Sequence, residues 1–286
     1  MPSFGSFSEC GKLRSVLLHR PGPEIELVKE ARQALWLDLL NAEKAREQHD
    51  MLVEMCRSHG IVVSYVEDTM HATPNLYFIR DTFAMTPVGA ILSRPSLKAR
   101  VGEEHIVART LIRLGVPIVL SIQESGTFEG ADLMIINEDL AFVGQGGRTN
   151  ATGAHQVEKL LKEIGFCKVV RVSLSDDCMH LDCALSIVDR DLALIYSKRI
   201  SCIVWETLQR HGFRIIEAPK TEVDAGMSIN MIALEPGLVV MPASNPITKK
   251  LLQDDGVTCL EIDISELMKG AGAVHCMIGI IQRDAL

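Results

Sequence analysis

The sequence lacks any apolar run approaching the roughly 18–20 residues that a membrane-spanning helix needs. Met1 to Cys10 has neither a basic n-region nor an apolar h-region, so a secretory leader is not expected. No block of Lys and Arg stands out, and 29 basic against 37 acidic residues give a net charge of −8. That balance disfavours nucleic acid or an anionic membrane surface as a partner. There is no Cys-x-x-Cys, and the cysteines at 10, 56, 167, 178, 183, 202, 259 and 276 show no paired zinc spacing. These absences lead to the expectation of a cytoplasmic protein with reduced thiols. In that compartment the acceptor-like Asn150-Ala151-Thr152 carries no glycan.

What is present is a large apolar fraction, 47% of 286 residues, enough for a substantial core in one domain spanning 1–286. The acidic surplus suits a cationic substrate, although solubility alone accounts for it equally well. Four cysteines (Cys167, Cys183, Cys202, Cys259) sit in apolar runs and read as small core residues.

One pattern recurs along the chain. Thr82 to Arg94 reads as a hairpin around Pro87-Val88-Gly89, Glu103 to Leu114 as a helix stopped by Gly115, and Val116 to Ile122 as a strand. The same order returns from Asp132, from Asp182 and from Ser228, with helices over 153–164, 200–211 and 246–254. A first copy is incomplete: one strand at Leu13 to Arg20, a helical region over Ala31 to His59, and a strand at Ile61 to Val66. Its missing strand is expected from Val274 to Gln282. The period of roughly 45–50 residues lies in the range of propeller-like arrays. The expected fold is a five-bladed α/β propeller of ββαβ units, closed by the C-terminal strand pairing in the first unit.

Polar residues recur at or just before the first strand of a unit: Asn75 and Asp81, Glu129 and Asp132, His180 and Asp182, then Cys276. A core strand has no use for unpaired charge, so these residues either face water or line a common site. Cys276 follows a run of small residues, Gly270-Ala271-Gly272-Ala273, and precedes the apolar Ile278 to Ile281. That approach can present its sulfur at the start of a strand. With His180 it supplies a nucleophile and a proton shuttle. A thiol is barely ionised at neutral pH and needs a nearby cation or a cationic substrate. Two carboxylates, Asp81 and Asp182, match the donor fork of a guanidinium. Glu129 is placed to support the imidazole.

The set resembles the guanidine-modifying (pentein) superfamily, which includes arginine deiminases, arginine dihydrolases, dimethylarginine hydrolases and amidinotransferases. The stretch Pro74-Asn75-Leu76-Tyr77-Phe78-Ile79-Arg80-Asp81 resembles the deiminase PNLYF-x-RD. Glu129-Gly130-Ala131-Asp132 resembles EGxD, Met179-His180-Leu181-Asp182 MHLD, and His275-Cys276-Met277 HCM. Gly147-Arg148-Thr149-Asn150 resembles the RTN segment of dimethylarginine hydrolases and dihydrolases. The resemblance implies that Cys276 attacks the guanidinium carbon and forms a thiouronium-type adduct. His180 then protonates departing ammonia and activates water. By the same resemblance Asp81 and Asp182 clamp the guanidinium and Glu129 supports both. Arg100 and Arg148 bind the substrate carboxylate, and Asn75 contacts the amino-acid end. No metal or organic cofactor is implied.

The chain is shorter than a typical bacterial arginine deiminase and lacks room for its helical insert; Ile278 stands where a small hydroxyl residue is common. His275 reads as a packing or hydrogen-bonding neighbour, and Cys178 and Cys183 as passengers. Segment Glu24 to Asp38 reads equally as a lid or a packing helix. A dimethylated nitrogen offers Asp182 no hydrogens, so an unsubstituted guanidine is expected, arginine first, giving citrulline and ammonia. Arginine dihydrolase (ornithine, CO2 and ammonia), dimethylarginine hydrolase, amidinotransferase, a metal-dependent ureohydrolase using His180-x-Asp182, and a non-catalytic propeller scaffold stand as alternatives. Homo-oligomerisation stays open.

Overall fold

Short turns and glycine stops cut the chain into alternating hairpins and helices. The computed structural model describes residues 3–67, 70 and 72–286; residues 1, 2, 68, 69 and 71 lie outside it. Strands β1 (Gly5–Ser6) and β2 (Leu13–Leu18) precede helix α1 (Ala42–Ser58) and β3 (Val62–Tyr65). Next come β4 (Phe83–Thr86), β5 (Gly89–Leu92), α2 (Glu103–Arg113) and β6 (Ile118–Ser121). The order repeats in β7 (Leu133–Ile135), β8 (Leu140–Gln145), α3 (Ala151–Glu163) and β9 (Lys168–Ser173). It repeats again in β10 (Leu185–Asp189), β11 (Leu192–Ile195), α4 (Ile203–Arg210) and β12 (Arg214–Glu217). Helix α5 (Lys220–Gly226) then leads to β13 (Ile232–Glu235), β14 (Leu238–Pro242), α6 (Pro246–Asp254) and β15 (Thr258–Ile262). A helical turn α7 (Val274–Met277) and β16 (Gly279–Arg283) follow.

Five small sheets result. In four of them the first two strands pair antiparallel, and the helix returns the third strand parallel to the second. The remaining sheet has the order β1-β16-β2-β3. There β16 pairs antiparallel with β2, Gly279 opposite Leu17, and so takes the place of a first strand. Strands β4, β5, β7 and β11 are buried throughout, whereas β6, β12 and β15 are only partly covered.

Helix α1 buries Ala45, Gln48, His49, Leu52, Val53 and Cys56, the spacing of one helical face. Asn41 Oδ1 accepts from the Lys44 N–H at 3.0 Å at its start. Asn150 does the same for α3, accepting from the Gly153 N–H at 2.9 Å, so the acceptor-like asparagine is a helix cap. Helices α1, α2, α3, α4 and α6 are each followed by a glycine at positive φ, namely Gly60, Gly115, Gly165, Gly212 and Gly256. Such left-handed stops, which glycine adopts without cost from a Cβ, set the repeat. Among the described residues no helix is long and apolar enough to cross a membrane.

Gly130 shows how tightly neighbouring units approach. A Cβ there would collide with the carbonyl oxygens of Phe83 and Arg80, both backbone. Gly130→Ala is expected to cost ~1–3 kcal/mol through overpacking. Urea unfolding checks this; an unchanged midpoint would show that the two segments can separate freely.

Three expectations need correction. The helical region over Ala31 to His59 contains an α-helix only from Ala42. Ala31–Ala34 is a single 3-10 turn, ended by Leu35 at a left-handed φ of 66°, which no helix continues through. The strand expected over Val274 to Gln282 begins only at Gly279, because Val274–Met277 is helical, so Cys276 stands on a helical turn before the strand. Of the four cysteines read as core, Cys183 and Cys259 are half-buried and pack against it, whereas Cys167 and Cys202 are exposed. Cys167 precedes β9 and Cys202 precedes α4, at the edges of the elements whose apolar runs they seemed to share.

Candidate active site

The turns that precede the first strand of a sheet carry the polar residues and the cysteine picked out from the sequence. Asp81 lies in the 3-10 turn Ile79–Thr82, Asp132 in Gly130–Asp132 and Asp182 in Leu181–Cys183. Asn230 lies two residues before β13, and Cys276 lies in α7 before β16. Turns of this kind release the backbone from the ladder and aim side chains off the sheet end.

Cys276, His180, Asp81, Asn75, Arg100 and Arg148 line one small cavity with Leu35, Phe78 and Gly270 to Gly272. The Cys276 sulfur accepts from Asn230 Nδ2 at 3.1 Å, and Asn230 Oδ1 in turn accepts the Cys276 N–H at 3.2 Å. Asp182 Oδ2 lies 3.6 Å from the same sulfur. His180 Nε2 is 2.7 Å from Glu129 Oε2, and its Nδ1 is 3.8 Å from Asp81 Oδ1. Asp81 Oδ1, Glu129 Oε1 and His180 Nδ1 are buried without a hydrogen-bond partner. Buried polar atoms are rarely left so, and orphans gathered in one place mark a site built to be filled.

These same three residues could hold a metal ion, each offering a ligand atom within 4.8 Å of the others. The grouping pairs His180 with Asp81 and Glu129, not with Asp182 as a His-x-Asp metal site would require. Moreover, His180 already spends one nitrogen on Glu129.

Burial alone would discharge His180, but the carboxylates of Asp81, Glu129 and Asp132 override it and hold the imidazole up to about 10. Glu129 responds in the opposite sense: burial raises it, and His180, Arg100 and Arg148 bring it down to about 2. The Cys276 thiol is pushed well above its ordinary value by burial and then by Asp182 and Asp81, against the opposing contact of Asn230. At neutral pH the free site therefore holds a thiol beside an imidazolium.

The outer residues occupy less obvious places. Arg100 is buried; its guanidinium pairs with Asp81 Oδ2 and with Glu103 Oε2, the latter at 2.9 Å from Nε. Arg148, more open, reaches Glu129 Oε2 at 3.4 Å. Asn75 accepts the Trp36 Nε1–H at 2.7 Å and donates to the Ala34 carbonyl at 2.8 Å, which ties segment 24–38 to the cavity rim. That segment is not one helix but two 3-10 turns, Pro23–Leu27 and Ala31–Ala34. Asp132 does not reach the cavity: it accepts from Thr149 Oγ1 at 2.5 Å and from the Leu181 N–H at 2.9 Å, joining two neighbouring units.

Four further residues escaped the sequence reading: Asn230, Glu103, Glu9 and Arg80 in a polar role. Asn230 had a usable signal, since it stands before β13 where Asp81, Asp182 and Cys276 stand before their own strands. Arg80 stood in the deiminase-like stretch without a role and Glu9 had no signal, because their pairing at 3.2 Å joins positions 71 residues apart.

A family model for N,N dimethylarginine dimethylhydrolase of the eukaryotic type matches residues 33–283. The uncharacterized protein YkgA of Bacillus subtilis is 28% identical over 271 residues, covering 94% of this chain and 92% of its own. An arginine deiminase of Streptococcus agalactiae is 24% identical over 406 aligned positions spanning 98% of both chains. That alignment is far longer than 286 residues, so the deiminase carries insertions absent here. A crystal structure of dimethylarginine dimethylaminohydrolase from Pseudomonas aeruginosa complexed with citrulline superposes with a TM-score of 0.78. It is 26% identical and covers 94% of this chain and 99% of that one. The N-terminal domain of ArgZ, a cyanobacterial arginine dihydrolase bound to substrate, shares the fold with a TM-score of 0.81 at 18% identity, covering 94% and 98%. The chain thus belongs to the N,N dimethylarginine dimethylhydrolase family, within the guanidine-modifying (pentein) superfamily, and is a hydrolase of guanidino C–N bonds.

Proposed function

We propose that the protein is an arginine deiminase-type hydrolase, a single cytoplasmic catalytic domain whose five sheets are blades of an α/β propeller closed by β16. The observation that carries the reading is the group of unfilled acceptors, Asp81 Oδ1 and Glu129 Oε1, beside Cys276 and Asp182. A guanidinium supplies the hydrogens these oxygens lack. It also brings a positive charge to the sulfur, whose ionisation the empty site opposes. The thiol proton is lost as the cation binds, and the thiolate adds to the central carbon. His180, already protonated, gives its proton to the departing amine, which leaves as ammonia. The thiouronium adduct holds the carbon while water enters. Neutral His180 takes one water proton as hydroxide adds, the thiolate departs and recovers the remaining hydroxyl proton as a thiol, and citrulline is left behind. Asp81 and Asp182 clamp the guanidinium. Arg148 and Arg100 serve the substrate carboxylate, Arg100 exchanging Asp81 for it, and Asn75 contacts the amino-acid end.

Asp182 favours arginine over its dimethylated form, because a dimethylated nitrogen offers no hydrogen to the carboxylate oxygen that His275 leaves open, at ~1–3 kcal/mol. The family match favours a second reading, dimethylarginine hydrolysis. Incubation with arginine and with asymmetric dimethylarginine, scoring citrulline, ornithine, ammonia and dimethylamine, separates the readings. Citrulline with one ammonia supports the deiminase, ornithine with two ammonia the dihydrolase. Dimethylamine in excess over ammonia would overturn arginine as the substrate.

The cavity measures only about 20 Å³. By this measure a single water needs ~10–15 Å³, so there is room for one water and not for an amino acid. Substrate access on this reading calls for Leu35 and the segment around it to withdraw, which favours a lid role for 24–38. Trp36→Phe keeps the ring and deletes the bond to Asn75. The closed state should lose ~0.5–1.5 kcal/mol. KM is expected to rise roughly two- to tenfold with kcat less affected; an unchanged KM would show that this bond does not govern closure.

A further inference from the structure

Beneath Asp182 lies a set of charged groups that the mechanism above does not use. His275 points away from the substrate cavity. Its Nδ1 is 2.9 Å from Asp182 Oδ2 and its Nε2 is 3.3 Å from Glu9 Oε2. Glu9 Oε1 accepts from Arg80 at 3.2 Å, and the same Arg80 nitrogen donates to the Leu133 carbonyl at 2.7 Å. All four side chains are buried. A cavity of about 10 Å³ beside Glu9, Asp182, Ser186 and His275 leaves scarcely the volume of one water, so the contacts are direct.

Both ring nitrogens of His275 face carboxylate oxygens. A carboxylate only accepts, so each nitrogen must carry a hydrogen, and the ring is an imidazolium. The charges then alternate from Arg80 to Glu9, His275 and Asp182, and each neutralises its neighbour. Burial alone would discharge His275, but its bonds to Asp182 and Glu9 raise it. Asp182 is lowered, burial opposing and His275 foremost among the groups that favour its ionised form.

We propose that Glu9 and His275 form a buried tether that fixes the Asp182 carboxylate for the guanidinium, so that His275 is a positioning residue. The consequence concerns the register between Cys276 and its neighbour. Cys276 aims its sulfur into the cavity, while the adjacent side chain reaches through the floor to hold the carboxylate 3.6 Å from that sulfur. A single helical turn thus sets both the attacking atom and the acceptor that orients its target. Asp182 Oδ2 is occupied by His275, which leaves Oδ1 for the substrate; the Cys183 sulfur at 3.6 Å is its weak neighbour. Without the tether the carboxylate is free to rotate onto other donors, and a misplacement of ~1 Å can cost on the order of a hundredfold in rate.

The role of Asp182 toward the guanidinium rests on the function proposed above, so the test uses whichever guanidine the wild-type protein hydrolyses fastest. Failure on arginine then overturns that function and leaves the tether testable. A double-mutant cycle joins His275→Ala with Asp182→Asn. His275→Ala should lower kcat/KM roughly ten- to a hundredfold, and should add little once Asp182 is already Asn. His275→Asn keeps a donor where Nδ1 stands and should recover most of the loss. Glu9→Gln should act in the same direction with a smaller effect. Additive losses, or a His275→Ala variant with wild-type kinetics, would overturn the tether. Should the variants fail to fold, nitrogen-15 NMR of the wild-type histidines decides: a His275 ring protonated at both nitrogens at pH 8 supports the proposal, and a neutral ring sinks it.

Discussion

Cys276→Ala is expected to fold and to turn over nothing, with a loss of at least ~10⁴-fold in kcat. The change deletes one sulfur from a helical turn whose backbone is held independently, by the Asn230 Oδ1 contact to the residue 276 N–H. Asn230 Nδ2 loses its partner at 3.1 Å, so a modest drop in stability should accompany the loss of activity. No other cysteine substitutes. Cys10, Cys56 and Cys178 are buried, and burial pushes each thiol up to about 12. Cys167 and Cys202 are exposed and react with general alkylating reagents, so they mask the result. A halogenated amidine, which carries the charge of the substrate, should label the wild-type protein once and Cys276→Ala not at all, as read by intact mass. Residual turnover in the variant would remove the thiol from the mechanism.

His180→Gln should lose ~10²–10⁴-fold in kcat, the usual contribution of a positioned acid and base. It also carries a pH signature. An unperturbed histidine titrates near 6.5, whereas His180 is held up to about 10 among Asp81, Glu129 and Asp132, against the effect of its burial. Its folded value lies above its unfolded one. Its contribution to stability is therefore fully present below about 6.5 and is lost as pH rises through about 10. Glu129 behaves as the mirror image: its value near 2 gives stability that is present above the ordinary glutamate range and lost as pH falls. Urea midpoints measured from pH 6 to 10 should fall in the wild type and fall less in His180→Gln. Equal slopes would mean that the imidazole is neutral in the folded protein.

The repeat was legible because its punctuation is local. A glycine after each of α1, α2, α3, α4 and α6 and a short turn inside each hairpin depend on nearby atoms only, so five units could be counted from residues alone. The polar residues before the strands were legible for the same reason, as exceptions to an apolar pattern. What escaped was whatever depends on partners remote in sequence. Arg100 looks like a surface charge in Leu97-Lys98-Ala99-Arg100, and only the fold buries it between Asp81 and Glu103. His275 looks like a neighbour of the nucleophile until Glu9 arrives from the other end of the chain. The stretch from 31 to 41 kept a helical pattern of apolar residues, yet Ala34 and Trp36 enter the core without a helix, and the Trp36 N–H bonds to Asn75 at the cavity rim. Composition misled at Cys167 and Cys202, which lie at strand and helix edges where an apolar run has already turned outward.

The pairing of β16 with β2 has a consequence for how the molecule is made. Leu17 waits for Gly279, so this sheet can be finished only after all the residues between them have been synthesised. Contacts of such long range are slow to form, and an unfinished sheet edge is open to mispairing meanwhile. The order is also protective. The segment that completes this edge is the one that carries Cys276, so a prematurely terminated chain has neither a finished sheet nor a reactive thiol in place. Completion of this sheet and placement of Cys276 arrive together.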